Sequence, residues 1–225
     1  MKQFIKMKRI YILLFFFFAF TGVKAQYEFI ENKGQFPDMV DFKCRLPYGA
    51  LYLQQDGLVY NFADPSQHAH SHAHHGETEH VHLDHLDFHA YKVHFLNTNP
   101  AVRFHGKEMT KDYCNYFKGQ DPSHWASHVH KYRKVHYEDL YPGIDLLFYD
   151  HGKGLKYDIN ISPGANPELI QLKYEGVDKI RLRFGKLQII TSVNKIIEEK
   201  PYAYQIIDGD TVEVACQYTF EDNIL

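Results

Sequence analysis

The amino-acid sequence predicts an all-β domain, an antiparallel β-sandwich-like body interrupted by one long histidine-rich loop. Three observations predict it. Apolar residues repeat with period two in one run after another. Gly, Pro, Asn or Asp breaks these runs every 8 to 12 residues. Beyond the first 25 residues, no stretch keeps a 3.6-residue period for more than two or three turns. Short strands at that spacing specify a sandwich or barrel.

Residues 1–25 read as an export signal. Lys2, Lys6, Lys8 and Arg9 precede an apolar run from Ile10 to Phe20, eleven residues against the roughly 18 to 20 a bilayer span requires. Val23 and Ala25 then occupy the two small-residue positions that a signal peptidase reads, which predicts cleavage before Gln26 and no membrane span in the mature chain. The chain carries 25 basic and 28 acidic residues; without the leader, which holds five basic residues and no acid, 20 basic residues face 28 acidic ones. That net charge of -8 excludes a basic nucleic-acid binder at neutral pH. Residues 26–225 are long enough for one sizeable core.

Within that body, Val40, Phe42, Cys44 and Leu46 alternate with Asp41, Lys43 and Arg45, giving a strand with one wet face. Leu51–Gln55 and Leu58–Phe62 flank Asp56-Gly57, which predicts a hairpin with a type I′ turn at that dipeptide. Tyr91, Val93 and Phe95 continue the alternation, and Val102 and Phe104 form a shorter extended piece. A short helix is expected near Pro122–Val129. Tyr132–Tyr137, Ile144–Tyr149 and Leu155–Ile161 follow as strands, with Gly152-Lys153-Gly154 as a hairpin turn and Pro163-Gly164 as a stop. Further extended segments are Leu169–Tyr174, Lys179–Phe184, Leu187–Thr191, Lys195–Glu199, Tyr202–Ile207 and Thr211–Phe220. Glu221–Asn223 reads as a turn and Ile224-Leu225 as the start of another strand, as though the domain were cut within its last hairpin. Cys44, Cys114 and Cys216 allow at most one intramolecular disulfide, in any of three pairings, or stand as three free thiols.

The insertion spans residues 63–90. Nine of the 22 positions from His68 to His89 are histidine: His68, His70, His72, His74, His75, His80, His82, His85 and His89. Imidazole suits zinc, copper and nickel, and alternate positions of an extended chain lie on one side at about 7 Å. If the later part is helical, His82, His85 and His89 share a face. These nine are the candidate metal ligands, with zinc or another divalent transition metal as the group held and no cofactor otherwise required. A solvated loop of biased composition and a pH sensor are the competing readings. The metalloprotease spacing of two histidines four apart around a glutamate is absent.

No catalytic residue stands out. None of the six serines lies in Gly-x-Ser-x-Gly, and Gly152-Lys153-Gly154 is too short for a phosphate loop. Asp145 and Asp158 sit in apolar strands, as carboxylates held by backbone donors or tyrosine would. Trp125 and the many tyrosines offer a sugar-stacking platform, but core and cross-strand packing explains most of them better.

One continuous pattern carries a resemblance. It runs from Asn115-Tyr116-Phe117-Lys118-Gly119-Gln120-Asp121-Pro122-Ser123-His124-Trp125 through Tyr137-Glu138-Asp139-Leu140-Tyr141-Pro142-Gly143-Ile144-Asp145-Leu146 and Leu155-Lys156-Tyr157-Asp158-Ile159. Ser162-Pro163-Gly164-Ala165-Asn166-Pro167, Gly185-Lys186-Leu187 and Lys200-Pro201-Tyr202-Ala203-Tyr204-Gln205 extend it, and Glu31-Asn32-Lys33-Gly34-Gln35 opens it. With these motifs the chain resembles the N-terminal domain of large bacterial surface proteins that carry SBBP-type β-propeller repeats downstream. The resemblance implies an extracellular β-rich module, in proteins that often end in a gliding-motility-associated or type IX secretion sorting domain, and it carries over no catalytic residue. Neither repeats nor a sorting domain follow here, and Asn166 stands where aspartate is common, which weakens a calcium loop. The expected function is a secreted or cell-surface module with a structural, adhesive or ligand-binding role and no catalysis, its partners other surface proteins or extracellular polysaccharide. An exported metal-binding protein acting through the histidine segment is the alternative, and an extracellular hydrolase the second.

Overall fold

The structure, a computed structural model, describes residues 10–15, 27–69 and 86–225, the first segment and residues 68 and 69 through their backbone. The expected leader lies outside the described residues except for Ile10–Phe15, and so does the histidine insertion from His70 to His85.

The chain is all-β. Sixteen strands form two antiparallel sheets among the described residues. They are β1 (Ile10–Phe15), β2 (Phe29–Glu31), β3 (Phe42–Leu46), β4 (Gly49–Gln54), β5 (Gly57–Ala63), β6 (Phe88–Phe95), β7 (Arg103–Tyr116) and β8 (Ala126–Tyr141). The second half adds β9 (Ile144–Asp150), β10 (Leu155–Ile161), β11 (Leu172–Glu175), β12 (Lys179–Arg183), β13 (Lys186–Ile190), β14 (Lys195–Glu198), β15 (Tyr202–Ile207) and β16 (Asp210–Val214). The larger sheet runs β11-β6-β5-β4-β3-β2-β8-β9-β10-β1-β15-β16, with β7 paired to β8, and the smaller is β12-β13-β14. A single helical turn, α1 (Pro65–Ala69), leads into the insertion. No helix among the described residues is long and apolar enough to cross a membrane.

Period-two patterning puts one face of each strand in a common core. In β3, Phe42, Cys44 and Leu46 are buried while Lys43 and Arg45 are not. Leu51, Phe62, Val135, Tyr137, Ile144, Phe148 and Ile161 join Leu187 and Ile189 of the small sheet in one cluster, each fully buried large apolar side chain contributing about 1.5–3 kcal/mol. The cysteines are three free thiols, Cys44 deepest.

The hairpin of β4 and β5 differs from expectation by one residue. Gln54 pairs with Gly57, so Gln55 and Asp56 make the turn and Gly57 is the first strand residue. Glycine is needed there for close approach: a Cβ would run into the Val93 carbonyl of β6. The helix expected near Pro122–Val129 is only a 3-10 turn, Pro122–His124, capped by the Asp121 side chain, which accepts from the Ser123 N–H at 2.9 Å. The chain then returns to extended form as β8. Glu221–Asn223 does turn, with Asp222 and Asn223 at positive φ. Leu225 exchanges backbone hydrogen bonds with Leu172 of β11, 2.9 and 3.0 Å.

One carboxylate enters the core. Glu198 lies two residues after Ile196 on β14 and so shares its inward face. The Tyr157 hydroxyl donates to its Oε2 at 3.3 Å and the Tyr174 hydroxyl to its Oε1 at 3.2 Å. Beside it is an interior gap of about 20 Å³, room for one water.

Candidate functional site

The nine predicted histidine ligands are not gathered by the described structure. His68 lies in α1, and His70, His72, His74, His75, His80, His82 and His85 are outside the described residues. His89 belongs to β6, not to a helix, and both ring nitrogens are engaged. Nε2 donates to the Gly176 carbonyl at 2.6 Å, and Nδ1 accepts from Ser192, 2.9 Å from its hydroxyl and 3.3 Å from its N–H. His89 thereby latches β6 to the loops after β11 and β13.

A different set of ligand-type side chains does converge, on β7 and β8. His105 stands directly opposite His136, and His136 and Glu138 are two residues apart on the same face of β8. One ligand atom from each of His105, His136 and Glu138 lies within 4.8 Å of the others. The two imidazoles meet edge to face with centroids 5.4 Å apart. Asp145 of β9 completes the arrangement from the far side, its Oδ2 3.3 Å from His136 Nε2 while its Oδ1 accepts the Asp139 N–H at 2.9 Å. Asp139 takes φ +55 where β8 shifts register, and that kink aims its N–H at Asp145.

Burial holds His136 below the ordinary imidazole range, with the Lys107 charge acting the same way and Asp145 opposing it. The carboxylate at Nε2 places the ring proton there. That leaves Nδ1 as the lone-pair nitrogen, and it is buried with no hydrogen-bond partner. Glu138 Oε1 accepts from Arg103 Nη2 at 2.6 Å, and the Arg103 side chain is two-thirds exposed. Two imidazoles and a carboxylate on one sheet face, one imidazole braced by a second carboxylate, form a donor set suited to a divalent transition metal.

The far half of the β7–β8 hairpin has a different character. Met109, Tyr113, Phe117 and Trp125 are all exposed there. Tyr113 stacks on His128 at 4.7 Å, and Phe117 meets Trp125 edge to face at 5.8 Å across the hairpin loop. The Trp125 indole N–H reaches the Gly119 carbonyl at 3.3 Å. Trp125 thus packs across the hairpin loop and not in the core, 42% exposed at the end of an arm.

The opening motif proves to be a buttress for this arm. The Asn32 side-chain amide donates to the carbonyls of Phe36, Pro37 and Val40 at 3.2, 3.1 and 2.7 Å, and its oxygen accepts the N–H groups of Gly34 and Phe36. Lys33 Nζ donates to the His128 carbonyl at 2.7 Å, and Glu31 Oε1 accepts the His130 N–H at 2.8 Å. Asp158, as expected of a strand carboxylate, accepts from the Tyr149 hydroxyl at 2.7 Å.

Fold and site together define an all-β sheet protein with a projecting, aromatic-tipped hairpin arm and a His-His-Glu cluster at that arm's base. The chain belongs to the family described as Domain of unknown function (DUF7948), whose model matches residues 29–225. No curated protein and no solved structure matches it.

Proposed function

We propose that the chain is an exported, β-rich module of a larger bacterial surface protein, of the kind that carries SBBP-type repeats, and that its β7–β8 arm is the contact surface for extracellular polysaccharide. The observation that supports this reading is the exposed aromatic set Tyr113, Phe117 and Trp125, with Met109, at the end of the arm. Exposed aromatic groups of this size mark binding surfaces, and flat rings stack on the apolar faces of sugars. The leader pattern of residues 1–25 supplies the route to the surface.

The test is affinity electrophoresis of the chain through gels containing bacterial exopolysaccharides. Retardation by at least one polysaccharide that the double variant F117A/W125A loses, with its far-ultraviolet spectrum unchanged, is the expected result. Equal migration of the variant and the parent chain in every gel refutes the arm as the contact surface. Expression with the leader in a Gram-negative host should yield Gln26 as the first residue of the exported product; retention of residues 1–25 refutes export by this signal.

A further inference from the structure

We propose that His105, His136 and Glu138 form a binding site for a divalent transition metal of the zinc class, separate from the histidine insertion and independent of polysaccharide binding. Three features carry it. The three ligand atoms already lie within 4.8 Å of one another, on one face of two directly paired strands. A tetrahedral ion with bonds of about 2.0–2.2 Å needs its ligand atoms roughly 3.3 Å apart, so closure takes side-chain rotations of half-buried His105 and Glu138 and no movement of the sheet. Second, His136 Nδ1 is a buried nitrogen with no partner, in a side chain only 9% exposed. Burying such a group without a partner is costly, and a metal is the kind of ligand a neutral imidazole nitrogen accepts. Third, the other nitrogen of the same ring faces Asp145 at 3.3 Å. A carboxylate on the far side of an imidazole is the arrangement that orients metal-binding histidines and raises their basicity.

The charges around the cluster set its limits. Two neutral imidazoles and one carboxylate leave a bound dication with net positive charge, which Asp145 offsets from behind. Arg103 and Lys107 oppose it. Arg103 occupies Glu138 Oε1 and must swing away or share the carboxylate through Oε2. Three protein ligands leave a fourth position for water or an outside donor.

The experiment uses the full chain. In a parent variant the insertion histidines His70, His72, His74, His75, His80, His82 and His85 are all changed to asparagine, to remove their own affinity. Zinc is titrated by calorimetry, and cobalt by the visible absorption that reports its coordination geometry. The expected result is one equivalent bound by this parent, weakened roughly tenfold or more by H105A and by E138Q and by about 10–100-fold by D145N, and strengthened by R103A. The cobalt spectrum should change in E138Q, which replaces a ligand, and keep its shape in D145N, which only loosens one. Urea midpoints of H105A and E138Q close to the parent's exclude unfolding as the cause. No stoichiometric binding by the parent, or the same affinity in H105A and E138Q as in the parent, overturns the proposal.

Discussion

Glu198 makes the stability of this protein depend on pH in a direction opposite to that of most carboxylates. Burial raises its carboxyl from an ordinary value of 4.5 to about 7, and the hydroxyls of Tyr174 and Tyr157 recover only part of the cost. Because the folded-state value is the higher one, its contribution is fully present below about pH 4.5 and is lost as pH rises through about 7. At about 1.4 kcal/mol per pH unit of difference, the folded state is less stable by about 3 kcal/mol above pH 8 than an untitrated group would leave it. The substitution Glu198→Gln keeps the shape and an acceptor for one tyrosine, and removes the titration. Urea unfolding of both chains at pH 5 and pH 8.5 isolates the effect, since every histidine contributes equally to both. The stability of E198Q relative to the parent should rise by about 2–3 kcal/mol between the two pH values, a midpoint shift of roughly 1 M urea. If the difference between the chains is the same at both pH values, the carboxylate does not titrate between them and the reasoning fails.

Removing the Asn32 side chain by N32A takes away five hydrogen bonds within the loop that braces the arm, and should cost about 2 kcal/mol in the same urea assay, the loss being moderated by solvent access. Two glycine substitutions separate contact from conformation: G57A drives a methyl into the Val93 carbonyl and should lower the thermal midpoint much more than G152A. Gly152 sits at φ +75 with open space around it, and costs only about 1 kcal/mol when replaced. Burial pushes the Cys44 thiol far above its usual range, so Ellman's reagent at pH 8 should label it only on unfolding; labelling at the rate of Cys114 would show that β3 opens in the native state.

What could be read from the sequence was whatever patterned one face against the other. β10 alternates Leu155, Tyr157, Ile159 and Ile161 with polar residues because one face lies on the core, and it is found where the alternation put it. β7 runs for 14 residues although only Val102 and Phe104 hinted at it, because Lys107, Glu108, Lys111 and Asp112 place charge on both faces of an arm with little core to cover. The turn between β4 and β5 was misplaced by one residue because glycine at position 57 answers to a neighbouring strand that no local rule includes. The His-His-Glu cluster depends on the register of β7 against β8, so His105 has no sequence signal at all; His136 and Glu138, two apart on a strand, were the only trace. Glu198 was legible in principle, since the period that buries Ile196 also buries the residue two places on. The Asn32 motif was recognisable as a pattern, but its bonds reach carbonyls whose positions only the fold defines.

The seat of β1 bears on the export we propose for residues 1–25. Ile10–Phe15 lies inside the expected leader, yet it is the strand that joins β10 to β15, pairing with Lys156–Ile161 on one side and Tyr202–Gln205 on the other. Among the described residues, the β15–β16 hairpin reaches the large sheet through no other strand. The cleavage we propose, after Ala25, would remove an interior strand, and the hairpin would have to close in by about one strand spacing of 4.8 Å or leave both edges to water. Before such a cut the relation would be reversed: a chain that folds first would hide the proposed signal within its sheet. If the proposed signal operates, export is a race that it wins only while the sheet is unformed, and the two pairings of β1, with strands about 150 and 190 residues further along the chain, are of the long-range kind that forms slowly.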